Sequence, residues 1–182
     1  MRMGSDKATL ALDGVPLWQR QWATLERTQP NQQWISLSED MSTPLPEART
    51  LRDPVQEAGP LAGVLAGLRT TRADLLLVLA VDLPRMTPTY LNRMLDQCRA
   101  ECGCVPLRGD RFEPMAAVYP RQLLAVAEKR LNDGERSLQG LVRSGIAAGL
   151  LAAHTVVGDE SDLFENINTA AEWQAYIDRP EA

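Results

Sequence analysis

Residues 74–84 have the sequence DLLLVLAVDLP. Within it, residues 75–81 form a continuous apolar run that lies between Asp74 and Asp82. The run does not alternate apolar with polar residues, which is typical of a strand buried on both faces of a sheet. It is also far too short to span a bilayer, for which about 20 apolar residues are needed. The stretch therefore predicts an internal strand over 74–81 in an α/β protein.

Helical and extended patterns alternate on both sides of this strand. Helices are predicted over 16–28, 60–71, 87–100, 120–131, 137–145 and 169–178, several of them with Pro or a capping Thr at the start. Strands are predicted over 32–37, 48–52, 103–107, 115–119 and 150–157. Such alternation predicts a single α/β domain over residues 1–182, with a mainly parallel sheet and helices on both faces.

Composition excludes several classes of function. The 182 residues suffice for one well-cored domain, and the net charge of −5 with scattered Lys and Arg argues against binding to nucleic acid. No signal-peptide pattern or membrane span is recognised, so no membrane partner is expected. The oligomeric state does not follow from the sequence and is left open.

Cysteine and histidine usage argues against a metal centre or a nucleophilic triad. Cys98, Cys102 and Cys104 form an odd set whose spacing fits neither paired disulfides nor a zinc knuckle, so free thiols in a reducing cytoplasm are predicted. The sole histidine, His154, is predicted to be a strand residue rather than a ligand or a base. Metal binding by the three cysteines remains the less favoured alternative.

Two acidic residues follow predicted strands, at the edge of the sheet where ligands of α/β proteins bind. Asp82 comes directly after the buried strand, where a carboxylate needs a partner, and Mg²⁺ is the usual one in phosphate chemistry. The alternative is a turn or capping role before Pro84. Asp53 follows the 48–52 strand and could accept from a base or a ribose, or could be an ordinary turn residue.

Small and amide residues supply two further candidates. Gly63, in the stretch AGPLAGVLAG, would let backbone approach a ligand at a helix N-terminus, although a small-residue helix packed tightly on the sheet explains it as well. Asn166 and Asn168, in FENINT, precede a predicted helix. They could face the cleft or could serve local capping.

The ordered set MGSDK, DGVPLWQ, GPLAG, VDLP, EPMAAVY and NINT spreads over nearly the whole chain. This set resembles the molybdenum cofactor guanylyltransferase family, a branch of the Rossmann-like nucleotidyltransferases with a three-layer domain. The resemblance implies a cytoplasmic, Mg²⁺-dependent enzyme whose substrates are GTP and the molybdopterin cofactor. It would transfer GMP to the terminal phosphate of molybdopterin and release pyrophosphate.

The resemblance also implies roles for single residues. Lys7 would be the lysine of the phosphate loop, and Arg2 and Gly4 match the end of that loop. Asp53 would bind the nucleotide, and Asp82 would hold Mg²⁺ against the phosphates of GTP. Asn166 and Asn168 would lie on the side where the pterin substrate docks.

Departures from the family pattern keep two alternatives open. A strand and a Gly-Gly turn that precede the phosphate loop in the family are missing here, so the natural protein is expected to start upstream of Met1. If it does not, an inactive nucleotide-binding remnant is the alternative. Ser36 stands where the family usually has Asn, and a related enzyme with another nucleotide or acceptor, such as a cytidylyltransferase or a sugar-phosphate nucleotidyltransferase, is the second alternative.

Overall fold

The computed structural model describes residues 10–37, 49–52 and 59–167. Its helices are Leu17–Glu26 (α1), Pro60–Thr70 (α2), Pro88–Asp96 (α3), Leu123–Asn132 (α4) and Leu138–Ala147 (α5). Its strands are Ala11–Leu12 (β1), Val15–Pro16 (β2), Ile35–Leu37 (β3), Thr50–Arg52 (β4), Leu75–Leu79 (β5), Gly103–Arg108 (β6), Arg111–Phe112 (β7), Ala116–Pro120 (β8) and Leu151–Thr155 (β9). A 3-10 helix at Gly158–Phe164 follows β9. The predicted helix over 169–178 lies outside the described residues.

The first described element is a tight hairpin between β1 and β2. Asp13 and Gly14 form its turn with φ of 52° and 77°, the positive pair that a two-residue Asp-Gly turn needs to match the twist of the strands. The amide of Leu17 donates to the carbonyl of Leu10 at 2.8 Å. The hairpin thereby fixes where α1 begins.

The larger sheet has the order β5-β8-β6-β7, with β9 paired to β6. Because β8 is antiparallel to both β5 and β6, and β9 is parallel to β6, the strands β5, β6 and β9 run in one direction. The sheet is therefore mixed, with β8 reversed between two strands that share a direction. We call the edge where β5, β6 and β9 end the carboxyl edge.

A second, smaller sheet pairs β3 with β4 in parallel, Ile35 opposite Thr50. Helix α2 packs against both of these strands and against β5. Within the described residues β5 pairs only with β8, and its five side chains are all half-buried. Because α2 ends shortly before β5 begins, its first residue lies toward the carboxyl edge.

Apolar side chains form a core on each face of the larger sheet. Alternate residues of β5 serve the two faces, as the period of a strand requires. Leu76 and Val78 pack with α2, α4 and α5, whereas Leu75, Leu77 and Leu79 pack with α3 and the 3-10 helix. Helices thus cover both faces, which confirms the predicted α/β class.

Several predicted elements match closely and others differ at their ends. The predicted helix over 87–100 is α3, where Thr87 accepts from the amide of Tyr90 at 3.2 Å and Pro88 takes the first helical position. His154 lies in strand β9, as predicted. The hairpin strand β7 and the 3-10 helix were not predicted. No helix in the described ranges is long and apolar enough to cross a membrane.

Candidate active site at the carboxyl edge

Asp82 lies in the turn that follows β5, three residues beyond the last strand residue. Its carboxylate is half-buried and makes no hydrogen bond or ion pair within the described part of the chain. Its backbone carbonyl accepts from the amide of Ile167 at 3.2 Å. A half-buried carboxylate that has no donor or cation among the described residues is open to a cation from outside the chain.

The same contact brings Asn166 to the carboxyl edge. Asn166 is exposed and precedes Ile167, which is 2% exposed and anchors the segment. The structure therefore brings together Asp82 and Asn166, two predicted site residues that are far apart in sequence. Arg2, Gly4, Lys7, Asp53 and Asn168 lie outside the described residues.

Helix α1 contacts the turn that carries Asp82 and helps to fix its position. Gln21 is only 5% exposed, and its side-chain amide donates to the carbonyl of Leu83. That carbonyl also accepts from the amide of Met86 at 3.1 Å, and the amide of Ala80 donates to the carbonyl of Met115 at 2.7 Å. Backbone bonds on both sides of Asp82 thus set the position of its carboxylate.

A second segment, residues 158–167, packs over the turn. Phe164 is 1% exposed and meets the ring of Tyr90 edge-to-face with centroids 5.4 Å apart. Arg85 lies on the Asp82 turn, and its guanidinium pairs with Glu165 at 3.4 Å and Asp162 at 3.9 Å. An apolar anchor and an exposed ion-pair cluster therefore hold this segment against the turn.

Burial makes the interior under this segment unfavourable for charge. Burial raises the pKa of the Tyr90 phenol far above its ordinary value, and Glu160 raises it further. Cys98, Cys102 and Cys104 are free thiols, of which Cys104 is buried. A hydrogen bond between Cys98 and Cys104 raises the pKa of Cys98 and lowers the pKa of Cys104.

Helix α2 presents its N-terminus at the side of the smaller sheet. Gly59 precedes the helix with φ of 58° and Pro60 takes the first helical position, so the chain can turn into the helix without a side-chain clash. Gly63 lies in the first turn and is half-buried. The amide of Ala62 donates to the carbonyl of Gly59 at 3.0 Å, and the positive end of the helix dipole at this start favours an anion.

Two surface cavities in the described part of the chain lie away from these residues. One, of about 490 Å³, lies on α4 and α5 and includes Lys129 and Arg130. The other, of about 410 Å³, lies beside the end of α1. In the first, Lys129 pairs with Asp133 at 2.6 Å, and Arg130 donates to Ser144 at 2.9 Å. Both cations thus have partners within the chain, and the carboxyl edge remains the candidate site.

The model of the MobA-like NTP transferase domain matches residues 1–154 of the chain. The chain belongs to this family. A probable molybdenum cofactor guanylyltransferase from Opitutus terrae is 39% identical over 144 residues, which cover 78% of this chain and 71% of that protein. A molybdenum cofactor guanylyltransferase from Pseudomonas putida is 36% identical over 96 residues, 52% of this chain and 50% of its own length.

The fold agrees with a solved member of the same group. The crystal structure of molybdopterin-guanine dinucleotide biosynthesis protein A from Archaeoglobus fulgidus superposes with a TM-score of 0.70 at 21% identity, over 96% of this chain and 90% of that chain. The predicted family, the Rossmann-like fold and the nucleotidyltransferase class are confirmed. The predicted function, guanylyl transfer in molybdenum cofactor synthesis, agrees with the names of these relatives.

A divalent cation fits what this MobA-like domain offers at Asp82. Among the described residues no cluster of three or more carboxylates, histidines or cysteines could hold a metal by itself. Mg²⁺ does not need such a cage, because it is usually bound by one or two carboxylates together with substrate phosphates and water. The lone half-buried carboxylate of Asp82 suits that mode of binding.

Three residues that shape the site were not assigned from the sequence. Gln21 had a signal, since it interrupts the apolar stripe of Leu17 and Leu25 at helical spacing. Arg85 follows Asp82 closely, but an exposed arginine in a turn has no distinguishing pattern. Phe164 stands at the end of the acidic stretch GDESDLF, whose polarity is typical of a solvated loop and conceals its apolar anchor.

Proposed function

We propose that the chain, acting as one nucleotidyltransferase domain, transfers GMP from GTP to the terminal phosphate of molybdopterin. The observation that carries the proposal is Asp82, a half-buried residue whose carboxylate has no partner among the described residues, at the carboxyl edge of a MobA-like domain. The names of the curated relatives support the substrates. The three free thiols suit the reducing cytoplasm in which we place the reaction.

In the proposed reaction, an oxygen of the acceptor phosphate attacks the α-phosphorus of GTP. A new bond forms between that oxygen and the α-phosphorus, while the bond from the α-phosphorus to the bridging oxygen breaks. Pyrophosphate leaves with the electron pair of the broken bond. No protein nucleophile is required, because positioning and charge neutralisation carry reactions of this type.

Asp82 would hold Mg²⁺ in this site, and the bound ion would neutralise charge on the phosphates of GTP. Lys7 would add a compact positive charge on the same phosphates, with Arg2 and Gly4 at the end of the phosphate loop. Asp53 and Gly63 would contact the nucleotide. Asn166 and Asn168 would face the acceptor.

The test compares Asp82→Asn with Asp74→Asn. Asp74 is exposed directly before β5, at the opposite end of that strand from Asp82, so its variant controls for the loss of one negative charge away from the candidate site. Asp82→Asn should lower the rate of transfer by about a hundredfold or more, the scale of losing a main electrostatic contact. It should leave the melting temperature unchanged and abolish thermal protection by Mg²⁺ with GTP.

The alternatives have distinct outcomes in the same assays. Retained transfer in Asp82→Asn would refute the role of that carboxylate. Preference for CTP or UTP over GTP would replace the proposed substrate with that of a related nucleotidyltransferase. No thermal shift of the wild-type chain at millimolar Mg²⁺ and GTP would favour the inactive remnant.

A further inference from the structure

The hairpin between β6 and β7 carries one arginine without a partner. Arg111 is exposed, and within the described ranges its guanidinium makes no hydrogen bond or ion pair. Arg108 lies directly opposite it across the hairpin, but Arg108 is neutralised by Glu113 through two contacts of 2.9 and 2.7 Å. Asp110, also exposed, precedes Arg111 in the turn, so the four charges of the hairpin sum to zero; Arg111 is the hairpin cation whose guanidinium has no ion-pair partner within the described ranges.

No other described arginine at the carboxyl edge is available in this way. Arg85 and Arg93 at that edge are both paired with carboxylates. Other described arginines without partners lie elsewhere. Arg72 and Arg99 precede β5 and β6, and Arg121 lies near Asp74 at the opposite end of the sheet, its amide donating to that carbonyl at 2.8 Å.

The hairpin is held firmly although it is exposed. The side-chain amide of Gln139 on α5 makes the two hydrogen bonds that a neighbouring strand would make. It accepts from the amide of Phe112 at 3.3 Å and donates to the carbonyl of Phe112 at 2.7 Å. The amide of Glu113 donates to the carbonyl of Pro106 at 2.9 Å. A buried hydroxyl, that of Tyr119, donates to the carbonyl of Pro114 at 2.6 Å. Arg111 is thus presented from a rigid support, which reduces the ordering cost of binding an anion.

The hairpin and Asp82 belong to the same edge of the sheet. Strand β8 separates β5 from β6, so the two strand ends are two spacings apart, about 10 Å. The segment that returns from the hairpin contacts the Asp82 turn directly, through the bond from Ala80 to Met115 at 2.7 Å. The smaller sheet and α2 flank the other side of β5. Arg111 therefore lies on the side of Asp82 away from the expected nucleotide.

We propose that Arg111 binds the phosphate of the acceptor substrate and so orients it toward the α-phosphorus of GTP. The inference rests on the proposed function, because it needs an acceptor that carries a phosphate. A planar guanidinium can contact two oxygens of a phosphate monoester at once. No described residue neutralises Arg111 in the free chain, so this charge is available to an incoming dianion.

The test measures acceptor binding directly, without turnover. Molybdopterin is titrated into the wild-type chain and into Arg111→Ala, Arg111→Lys and Arg121→Ala in the absence of GTP, and binding is followed by tryptophan fluorescence. Arg121 is the matched control, an exposed arginine at the opposite end of the same sheet. Arg111→Ala should bind about 10- to 100-fold more weakly, the scale of a hydrogen bond to a charged group. Arg111→Lys should recover part of the loss, and Arg121→Ala should equal wild type.

Two further measurements separate this inference from the proposed function. Thermal protection by Mg²⁺ with GTP should be equal in wild type and Arg111→Ala, because the nucleotide lies on the other side of Asp82. Added salt should weaken acceptor binding less in Arg111→Ala than in wild type. If wild type binds molybdopterin and Arg111→Ala binds it equally well, Arg111 is refuted while the function stands. If wild type binds GTP but not molybdopterin, the proposed acceptor is wrong and the role of Arg111 falls with it.

Discussion

Truncation of Phe164 to alanine tests whether the segment over the Asp82 turn is held by its apolar anchor. Phe164 is 1% exposed and packs edge-to-face on Tyr90 at 5.4 Å. Removal of a fully buried phenylalanine side chain leaves a cavity and costs about 3–5 kcal/mol. The ion pairs of Arg85 cannot compensate, because exposed pairs contribute about 0–1 kcal/mol.

We expect Phe164→Ala to lower the free energy of unfolding by about 3 kcal/mol or more, and Phe164→Leu to lower it by about 1 kcal/mol. Urea denaturation followed by tryptophan fluorescence gives both values. The matched control is Val157→Ala. Val157 directly precedes the segment and is 62% exposed, so this variant should change stability by no more than about 0.5 kcal/mol.

The local consequence should be visible by hydrogen exchange. The amide of Ile167 donates to the carbonyl of Asp82 at 3.2 Å, so loosening the anchor should expose this amide before the sheet opens. Faster exchange over residues 158–167 is therefore expected in Phe164→Ala. The reasoning is wrong if Phe164→Ala loses less than about 1 kcal/mol, or if exchange at Ile167 is as slow as in wild type.

Two further substitutions test other supports of the site. Gln21→Leu should cost about 0.5–1.5 kcal/mol, because it removes one of the two donors to the Leu83 carbonyl, whereas the exposed Gln19→Leu should be near neutral in the same denaturation assay. Burial raises the pKa of the Tyr119 phenol, so stability should hold below the unfolded pKa of about 10 and fall as pH rises above it. Tyr119→Phe should flatten that fall between about pH 9 and 11; an unchanged slope would contradict the assignment.

The strand β5 and the helix α3 could be predicted because their signals are local. An unbroken run of Leu and Val specifies a strand buried on both faces, and Thr87 with Pro88 specifies a helix start. The antiparallel direction of β8 was not predicted, although the sequence restricts the direction that this strand can take. Only Gly109–Met115 separate β6 from β8, and a parallel pair needs a crossover of a dozen or more residues. The length of the connection, rather than the apolar pattern, therefore determines the direction of β8.

The position of Asp82 followed from a general rule about strand ends, but the contacts that fix its turn did not follow from any pattern. Gln21, Met115 and Ile167 reach the turn or its flanks from three separate stretches, and each bond involves backbone carbonyls or amides. Backbone groups are common to all residue types. The bond between the amide of Ala80 and the carbonyl of Met115 could therefore not be predicted from the identity of either residue. A contact can be predicted from the sequence only when a side chain takes part in it. Gln21 is such a case, because burying a polar side chain in an apolar stripe costs free energy unless the side chain is hydrogen-bonded.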